Sequence, residues 1–277
     1  MEKVTAVILN YNSSSDCEKC ISFLKKQNYD DLEIIVVDNA SNDDELGSIK
    51  KIAKVNDVEL ICNEANKGFA AGNNTGLRAA VEGGAKWCLV INPDVELRDE
   101  NYVSKMIAKI NEHKDVAVAA SSIVLPDGTL QNPQKESTFG QDVFWIGQYV
   151  KKNNDNSNWN VEQQKTGYCE KVSGCCFFVS ADFLKKINYL DENTFLYCEE
   201  AILAKQVESE GKNILYVHDV KADHVHEAEK NSYEKVKRFV ESRNYYVKKY
   251  SGYNKLQVGA VLVANKMEKV LFRFKKY

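Results

Sequence analysis

The triplet Asn-Pro-Asp at residues 92–94 directly follows one of the most apolar segments of the chain, residues 87–91 (WCLVI). Such a segment is typical of a buried strand, and a carboxylate at its carboxyl end can point into a ligand crevice. A divalent cation held there by one or two protein oxygens can neutralise the charge of a diphosphate. Asn-Pro-Asp is also favourable turn chemistry, so the triplet by itself leaves a structural turn open.

Several common ligand-binding motifs are missing from the chain. It contains no Gly-x-Gly-x-x-Gly after the first predicted strand, no P-loop and no Gly-x-Ser-x-Gly nucleophile motif. Residues 12–16 (NSSSD) have neither Gly nor Lys, which argues against a nucleotidyltransferase with a basic, Gly-rich loop. The predicted sheet must therefore bind its ligand by other means.

The elements that position the triplet alternate between strand and helix patterns. Apolar, β-branched runs predict strands at residues 4–9, 33–38, 58–62 and 87–91, with helices predicted at 15–26, 43–54 and 70–81. These units predict an α/β fold with a mostly parallel sheet flanked by helices, which binds ligands at the carboxyl ends of its strands. The polar residues at these ends are Asn10, Asp38, Asn63 and Asp94.

The second half of the chain is less regular. A helix at 101–113 and a strand at 116–124 precede a polar, Asn-rich segment at 131–168 that we expect to be irregular. Further strands are predicted at 171–179 and 213–217, and further helices at 199–209, 232–250 and 253–274. No repeat or low-complexity linker divides the chain, so we expect a single domain.

The composition excludes several classes of protein. With 44% apolar and 28% charged residues, the chain can bury a full core. The start does not look like a signal peptide, and the apolar run at 258–264 is far shorter than the ~20 residues that span a bilayer. Eight cysteines without a disulfide-scaffold pattern indicate reduced thiols. The single Cys-x-x-Cys, at Cys17 and Cys20, lacks a second pair for zinc, so we interpret it as structural.

The C-terminal part of the chain is strongly basic. Residues 230–277 contain thirteen Lys or Arg against three Glu, although the whole chain has a net charge of −3. Around residues 266–276 these cations alternate with apolar residues, a mixture that suits a helix at an anionic membrane surface. A solvated helical face and ordinary packing on the domain are the alternatives. We expect no nucleic-acid partner.

Four motifs in order give the chain a family resemblance. They are residues 4–12 (VTAVILNYN), 35–41 (IVVDNAS), 66–76 (NKGFAAGNNTG) and 92–94 (NPD), and later segments at 172–176, 190–192 and 195–200 continue the pattern. From residue 4 to about 250 the chain resembles the family 2 inverting glycosyltransferases of GT-A fold. Within them it is most similar to the rhamnosyltransferase-like branch.

The resemblance implies a nucleotide pocket built from the strand ends and the Asn/Gly-rich motif. The implied donor-binding residues are Asn10, Tyr11, Asn12, Asp38, Asn66, Gly68, Phe69, Asn73, Asn74 and Asn92. Asp38 would accept a hydrogen bond from the base or ribose, and its alternative role is a helix N-cap within residues 38–41. The glycines of 66–76 would let the backbone approach the ligand, and the alternative there is an ordinary helix start.

The resemblance also implies a bound divalent cation. Asp94 corresponds to the last acid of the family's Asp-x-Asp motif and would bind Mg²⁺ or Mn²⁺, whereas Asn92 departs from that motif. The family often adds a His ligand near the end of the last strand. His224 and His226 alternate onto one side of that strand, and their spacing to residues 231–232 favours His226. A surface pair of histidines is the alternative.

A catalytic base is implied at the start of the predicted helix 199–209. Glu200, beside Glu199, would take the proton of the acceptor hydroxyl as that oxygen attacks the anomeric carbon. The family usually has Glu-Asp here and often a further Asp where this chain has Ile202. Acids favoured only by the helix dipole, in a non-catalytic nucleotide-sugar-binding module, are therefore an alternative.

The function implied is a metal-dependent, inverting glycosyltransferase acting in surface polysaccharide synthesis. The donor would be dTDP-rhamnose, with UDP-hexose or galactofuranosyl transfer as alternatives, and the acceptor a saccharide or a polyprenyl-linked sugar. Residues 1–125 would bind the donor, 126–230 the acceptor, and 231–277 would form a basic helical tail. We expect a cytoplasmic protein and leave open both a homodimer and a contact with the inner face of the membrane.

Overall fold

The computed structural model describes residues 1–150, 165–225 and 232–274. The strands are β1 (Val4–Asn10), β2 (Leu32–Asp38), β3 (Glu59–Cys62), β4 (Trp87–Ile91), β5 (Val95–Glu96), β6 (Val116–Val124), β7 (Gly167–Cys169), β8 (Cys176–Ser180) and β9 (Asn213–His224). The helices are α1 (Ser14–Lys25), α2 (Asp43–Asn56), α3 (Phe69–Glu82), α4 (Tyr102–Asn111), α5 (Phe139–Val150), α6 (Ala181–Lys186), α7 (Glu199–Ser209), α8 (Tyr233–Lys249) and α9 (Lys255–Phe274).

The first four long strands form the parallel half of one sheet, in the order β3-β2-β1-β4. Their β-branched side chains are buried on both faces, because helices cover the sheet from each side. The β1–β2 register places Asn10 directly opposite Asp38 at the carboxyl edge. The predicted strands of this half, and the polar residues at their ends, are confirmed.

The other half of the sheet is mixed. Strand β8 lies antiparallel between β4 and β6, and β9 is parallel to β6 and antiparallel to β5 and β7. Among the eight pairings within the described residues, four are parallel, including the two longest, β1–β2 and β6–β9, and four are antiparallel, so the predicted α/β fold is confirmed.

Strand β9 is much longer than the five residues predicted. Its pairing with β6 shifts between Ser121 and Ser122, where the partner changes from Val217 to Lys221. An irregularity of this kind bends a strand without ending it. The strand therefore continues to His224, which pairs with Val95 next to the predicted metal ligand.

Alternating strand residues build a core on each face of the sheet. Ala6 and Ile8 pack with α1, α2 and α4, whereas Val7 packs with α3, α6 and α7. Cys17 and Cys20 lie in the first of these cores and are almost fully buried. Burial raises the pKa of the Cys17 thiol to about 12, as expected for a thiol that acts as a small apolar side chain.

Two predictions in the second half are wrong. Part of the expected irregular segment forms α5, which is held by a buried ion pair between Asp142 and Arg243 of α8. The predicted strand at 171–179 begins only at Cys176, because the N–H of Ser173 donates to Oδ1 of Asn132 instead of to a neighbouring strand. Both features depend on partners far away in sequence, and local patterns carry no information about them.

Helices α8 and α9 pack near the first turn of α7. Ile202 of α7 lies in one buried cluster with Tyr246, Val247 and Val261. This cluster joins the C-terminal helices to the helix that carries Glu199 and Glu200. No helix in the described ranges is long and apolar enough to cross a bilayer.

Candidate functional site

Asn10 and Asp38 form a buried polar pair at the carboxyl ends of β1 and β2. Nδ2 of Asn10 donates to Oδ1 of Asp38 at 2.8 Å. The hydroxyl and the N–H of Ser41 donate to the same carboxylate at 2.7 and 3.0 Å. Asp38 thereby holds the turn at residues 38–41, while Asn42 provides the side-chain cap of α2. A carboxylate offers about four acceptor positions, so three of those of Asp38 are filled within the protein.

The loop after β1 presents Tyr11 and Asn12 at the surface. Tyr11 is 51% exposed, an unusual position for an aromatic ring outside a contact surface. Asn12 has a left-handed backbone, with φ of 53°. Its Oδ1 accepts from the N–H of Asn42, and its own N–H donates to Ser41. The loop is thus fixed by its backbone, and the tyrosine ring is left accessible.

The Asn/Gly-rich motif forms the next wall. Oδ1 of Asn66 accepts from Asn39 and from the N–H of Gly68, at 3.1 and 3.0 Å. Gly68 has φ of 100°, and an added Cβ would collide with the carbonyl of Phe195. The N–H of Phe69 donates to that same carbonyl at 2.8 Å. Only glycine therefore lets α3 start this close to the loop that precedes α7.

Asn73 and Asn74 lie deeper in α3 and are almost fully buried. Nδ2 of Asn73 donates to the carbonyl of Phe69. The Asn74 amide accepts from the N–H of Leu190 and donates to Leu190 and to Glu192. Both ends of the Asn74 amide are used within the protein to hold the segment 190–192, and its contact with the donor stays a prediction.

Asp94 and His224 meet between β4 and β9. Nε2 of His224 lies 3.3 Å from Oδ2 of Asp94, because the neighbouring Val95 is the strand partner of His224. On the other side of the ring, Nδ1 of His224 lies 2.8 Å from Oε1 of Gln131. Burial lowers the pKa of His224, but hydrogen bonds to Asp94 and Cys175 outweigh it and raise the pKa to about 10.

This pair fits a divalent cation. Carboxylate oxygen and imidazole nitrogen are suitable ligands, and two ligands about 2.1 Å from one octahedral ion lie about 3 Å apart. No group of three or more acidic, Cys or His side chains within the described ranges could hold a metal. An ion at Asp94 and His224 would therefore need further oxygens from a ligand. Asn92 contributes to the turn through its backbone N–H, which donates to the carbonyl of Cys175 at 2.7 Å.

The sequence favoured His226, and not His224, as the metal ligand. His226 lies outside the described residues. Strand alternation carries no information about which strand pairs with β9 at His224. Gln131 was missed as well, because it belongs to the segment predicted to be irregular, and no local pattern marks it.

Glu199 and Glu200 begin α7 after a strained turn. Tyr197 and Cys198 both have left-handed backbones, with φ of 78° and 68°, which is uncommon for residues other than glycine. Burial, followed by the charge of Glu200, raises the pKa of Glu199 to about 8. Oε1 of Glu200 accepts from the N–H of Gly174 at 3.3 Å. An added Cβ at Gly174 would lie 3.2 Å from that oxygen, so the carboxylate fits closely over the glycine.

A two-residue segment joins the acidic pair to the Asp94 site. The N–H of Gly174 contacts Glu200, and the carbonyl of Cys175 accepts from the N–H of Asn92. Glu200 and the turn that carries Asp94 therefore contact the same short piece of backbone. Ile202, by contrast, is 2% exposed and faces the C-terminal helices.

Comparison with known proteins places this chain in a family. Residues 5–186 match the profile of Glycosyl transferase family 2. The low-salt glycan biosynthesis hexosyltransferase Agl10 of Haloferax volcanii is 24% identical over 217 residues, which are 77% of this chain and 64% of that protein. The dTDP-rhamnosyl transferase RfbF of Shigella flexneri is 32% identical over 117 residues, 41% of this chain and 37% of that protein. The chain thus spans less than two thirds of either relative.

A solved structure agrees on the fold. The mannosyltransferase PcManGT from Pyrobaculum calidifontis, in complex with GDP-Man and Mn²⁺, aligns with 99% of this chain and 76% of its own, with a TM-score of 0.64 at 13% identity. At this identity the likeness concerns the fold alone. The profile match covers most of the chain and includes β1 to β4, β8 and the Asn/Gly-rich motif. The chain belongs to glycosyl transferase family 2.

Proposed function

We propose that this protein transfers a sugar, with inversion, from a nucleoside-diphosphate donor to an acceptor hydroxyl. The observation that carries the proposal is the placement of two different chemical groups around residues 174–175. One group is the pair Asp94 and His224, whose side chains suit a metal ion. The other is the acidic pair of α7, which contains the candidate base Glu200. A transfer of this kind needs both groups close to one anomeric carbon.

Asp94 and His224 are the proposed ligands for Mg²⁺ or Mn²⁺. When bound, the cation would neutralise the charge that develops on the diphosphate leaving group. Gln131 is well placed to hold the His224 ring, because an amide oxygen at Nδ1 keeps a proton there. A cation at Nε2 would have to displace the second proton that the raised pKa of His224 implies. The Mn²⁺ in the PcManGT complex supports this choice of cation class.

Glu200 is the better candidate for the base. Burial and the neighbouring charge of Glu200 raise the pKa of Glu199 and favour its protonated form, which is the poorer proton acceptor. Glu200 lies beside it and is oriented by the N–H of Gly174. We propose that Glu200 accepts the proton of the acceptor hydroxyl and that Glu199 shapes the electrostatics of its neighbour.

The donor pocket is proposed along the strand ends. Asp38 would accept a hydrogen bond from an N–H or O–H of the nucleoside, and Tyr11 can stack on a planar base. Gly68 and Asn66 shape the backbone next to it. For the donor we propose dTDP-rhamnose, supported by the similarity to RfbF, with hexose transfer as the alternative suggested by the hexosyltransferase Agl10. The proposed acceptor is a saccharide or a lipid-linked sugar.

A donor panel tests the transferase. The protein is incubated with Mn²⁺ and with dTDP-, UDP- or GDP-linked sugars, and release of the free nucleotide is followed with and without simple saccharide acceptors. We expect one donor to be consumed, and Glu200→Gln to reduce the rate by ~100-fold or more while nucleotide binding is kept. The anomeric configuration of the product, read by NMR, tests inversion.

A non-catalytic nucleotide-sugar-binding module is the second candidate, favoured by Glu200 and Ile202 at positions where the family usually has Asp. It predicts tight nucleotide binding, no consumption of any donor, and binding that Glu200→Gln leaves unchanged. That set of results would replace the transferase by the module.

A further inference from the structure

Helix α9 exposes a continuous apolar stripe. Leu256, Val263, Met267 and Val270 are 87%, 61%, 57% and 48% exposed. Successive members lie seven, four and three residues apart, so all four occupy one side of the helix. Scattered exposed apolar residues are normal on a protein surface, but an aligned row of four on one helix marks a contact surface.

The stripe is not the face that holds α9 on the protein. The opposite side is buried, with Val261 and Asn265 fully inaccessible and Ala264 7% exposed. Val261 packs in the cluster of Ile202, Tyr246 and Val247, and Nδ2 of Asn265 donates to Asn244 of α8 at 2.8 Å. The helix is therefore anchored by one face and offers the other to a partner.

A basic row runs beside the stripe. Lys255, Lys266 and Arg273 are all exposed and lie eleven and seven residues apart, which places them along one flank of the apolar face. Lys269 points elsewhere and pairs with Glu241 at 3.5 Å. The surrounding sequence, residues 230–277, carries a net charge of +10. The partner of this face should therefore be apolar at its centre and negatively charged at its edge.

We propose that α9 binds to the surface of a lipid bilayer that contains anionic lipids. The four apolar side chains would enter the boundary between headgroups and acyl chains, and the three cations would reach the headgroups. A second copy of this chain is a poorer occupant. An antiparallel two-fold pairing of the stripes would bring two basic rows close together, and like charges repel.

The position of α9 also determines how far the acidic pair of α7 lies from the membrane, an inference that rests on the proposed function. The buried face of α9 contacts the cluster of Ile202, two residues from Glu200. A helix is about 10 Å in diameter. A bilayer on the exposed face of α9 would therefore lie about 10 Å from the residues of α7 that pack near its buried face. This places the acidic pair close to the membrane, as a lipid-linked acceptor would require.

Vesicle binding by the full chain tests the proposal without any measurement of sugar transfer. Flotation with vesicles of phosphatidylcholine and phosphatidylglycerol in equal parts should recover the wild-type protein, and raised salt should weaken the binding. The double variant Val263→Asp/Met267→Asp should bind at least about tenfold more weakly, because two apolar side chains no longer enter the interface. Val55→Asp is the matched control, since Val55 is an exposed apolar residue on α2, at the opposite face of the sheet.

A charge variant keeps the test valid if the double variant misfolds. Lys255→Gln/Lys266→Gln/Arg273→Gln should lose about 100-fold in binding to the anionic vesicles, with little change on pure phosphatidylcholine. Wild-type protein that ignores anionic vesicles, or variants that bind as the wild type does, would overturn the proposal. A wild-type dimer that Val263→Asp/Met267→Asp converts to monomers would instead assign the stripe to self-association.

Discussion

Nε2 of His224 lies 3.3 Å from a carboxylate oxygen of Asp94, although the two residues belong to opposite halves of the chain. The contact exists because β9 continues past an irregularity in its pairing with β6 and reaches β5, where His224 pairs with Val95. Two side chains suited to a divalent cation are brought together in this way, and the first prediction concerns them.

Substitution of either ligand should weaken metal binding in the presence of nucleotide. Groups that only orient metal ligands contribute about 10–100-fold in affinity, so we expect losses at least this large for Asp94→Asn and His224→Ala. Titration calorimetry with Mn²⁺ at saturating UDP or dTDP measures the effect. Asp43→Asn, at an exposed acid in the first turn of α2, controls for the loss of a negative charge. Wild-type affinity in Asp94→Asn would defeat the metal assignment.

The same titration distinguishes the two histidines. If the contact with Asp94 identifies the ligand, His226→Ala should leave the Mn²⁺ affinity nearly unchanged. Loss of binding in His226→Ala with retention in His224→Ala would support His226, the ligand favoured by the sequence.

Glu199 should make the protein less stable as the pH rises. Its pKa is raised from 4.5 to about 8 in the folded chain, mainly by burial. Between these two values the folded state holds a proton that the unfolded state has released, so the free energy of unfolding decreases as pH increases. In Glu199→Gln this contribution is absent, and from pH 5 to pH 8 the variant should gain about 1 kcal/mol or more relative to the wild type.

Urea unfolding at both pH values measures this difference, because all other titrating groups are common to the two proteins. Glu18→Gln, at an exposed acid of α1, serves as the control for charge removal. Parallel pH profiles for wild type and Glu199→Gln would show that Glu199 is not protonated in the folded state.

Gly174 should be sensitive to a single added methyl group. A Cβ at this position would lie 3.2 Å from Oε1 and 3.3 Å from Cγ of Glu200, so the carboxylate must shift by a few tenths of an ångström. Because small displacements of a catalytic group reduce the rate strongly, we expect Gly174→Ala to lower kcat by ~10-fold with little change in the KM of the donor. Gly140→Ala is the control, since a Cβ there meets nothing within 4 Å. Equal kcat values for the two variants would argue against Glu200 as the base.

Ile202 should not tolerate the acid that the family often has at this position. The side chain is 2% exposed and packs against α8 and α9. Placing a carboxylate there without a partner should reduce the free energy of unfolding by roughly 3 kcal/mol or more, whereas Ile202→Val should cost only about 1 kcal/mol. Denaturant unfolding monitored by circular dichroism checks both values. Wild-type stability in Ile202→Asp would mean that water reaches this position.

Much of the parallel half of the fold was predictable from the sequence. Strands β1 and β4 follow the apolar runs almost residue for residue, because a strand covered on both faces must be apolar throughout. Polar residues then mark the points where the chain leaves the core. Asn10 and Asp38 were expected at one edge for this reason, and the register places them side by side.

The second half could not be predicted to the same extent. Helix α5 is stabilised by Arg243 and Tyr253, which lie more than a hundred residues further along the chain. In the segment before β8, the backbone donates a hydrogen bond to the side-chain amide of Asn132 instead of pairing with a strand. Contacts of this kind leave no periodic pattern in the residues that make them.

The sequence by itself determined the types of chemical groups and the strand ends that carry them: an acid after β4, an acidic pair at the start of α7, and an Asn/Gly-rich turn before α3. Only the tertiary structure decided that His224 meets Asp94, that Gly174 supports Glu200, and that Ile202 is part of the core. The physical reason is that strand and helix patterns arise from neighbouring residues, whereas the pairing of β9 and the packing of α9 are set by the burial of the whole chain at once.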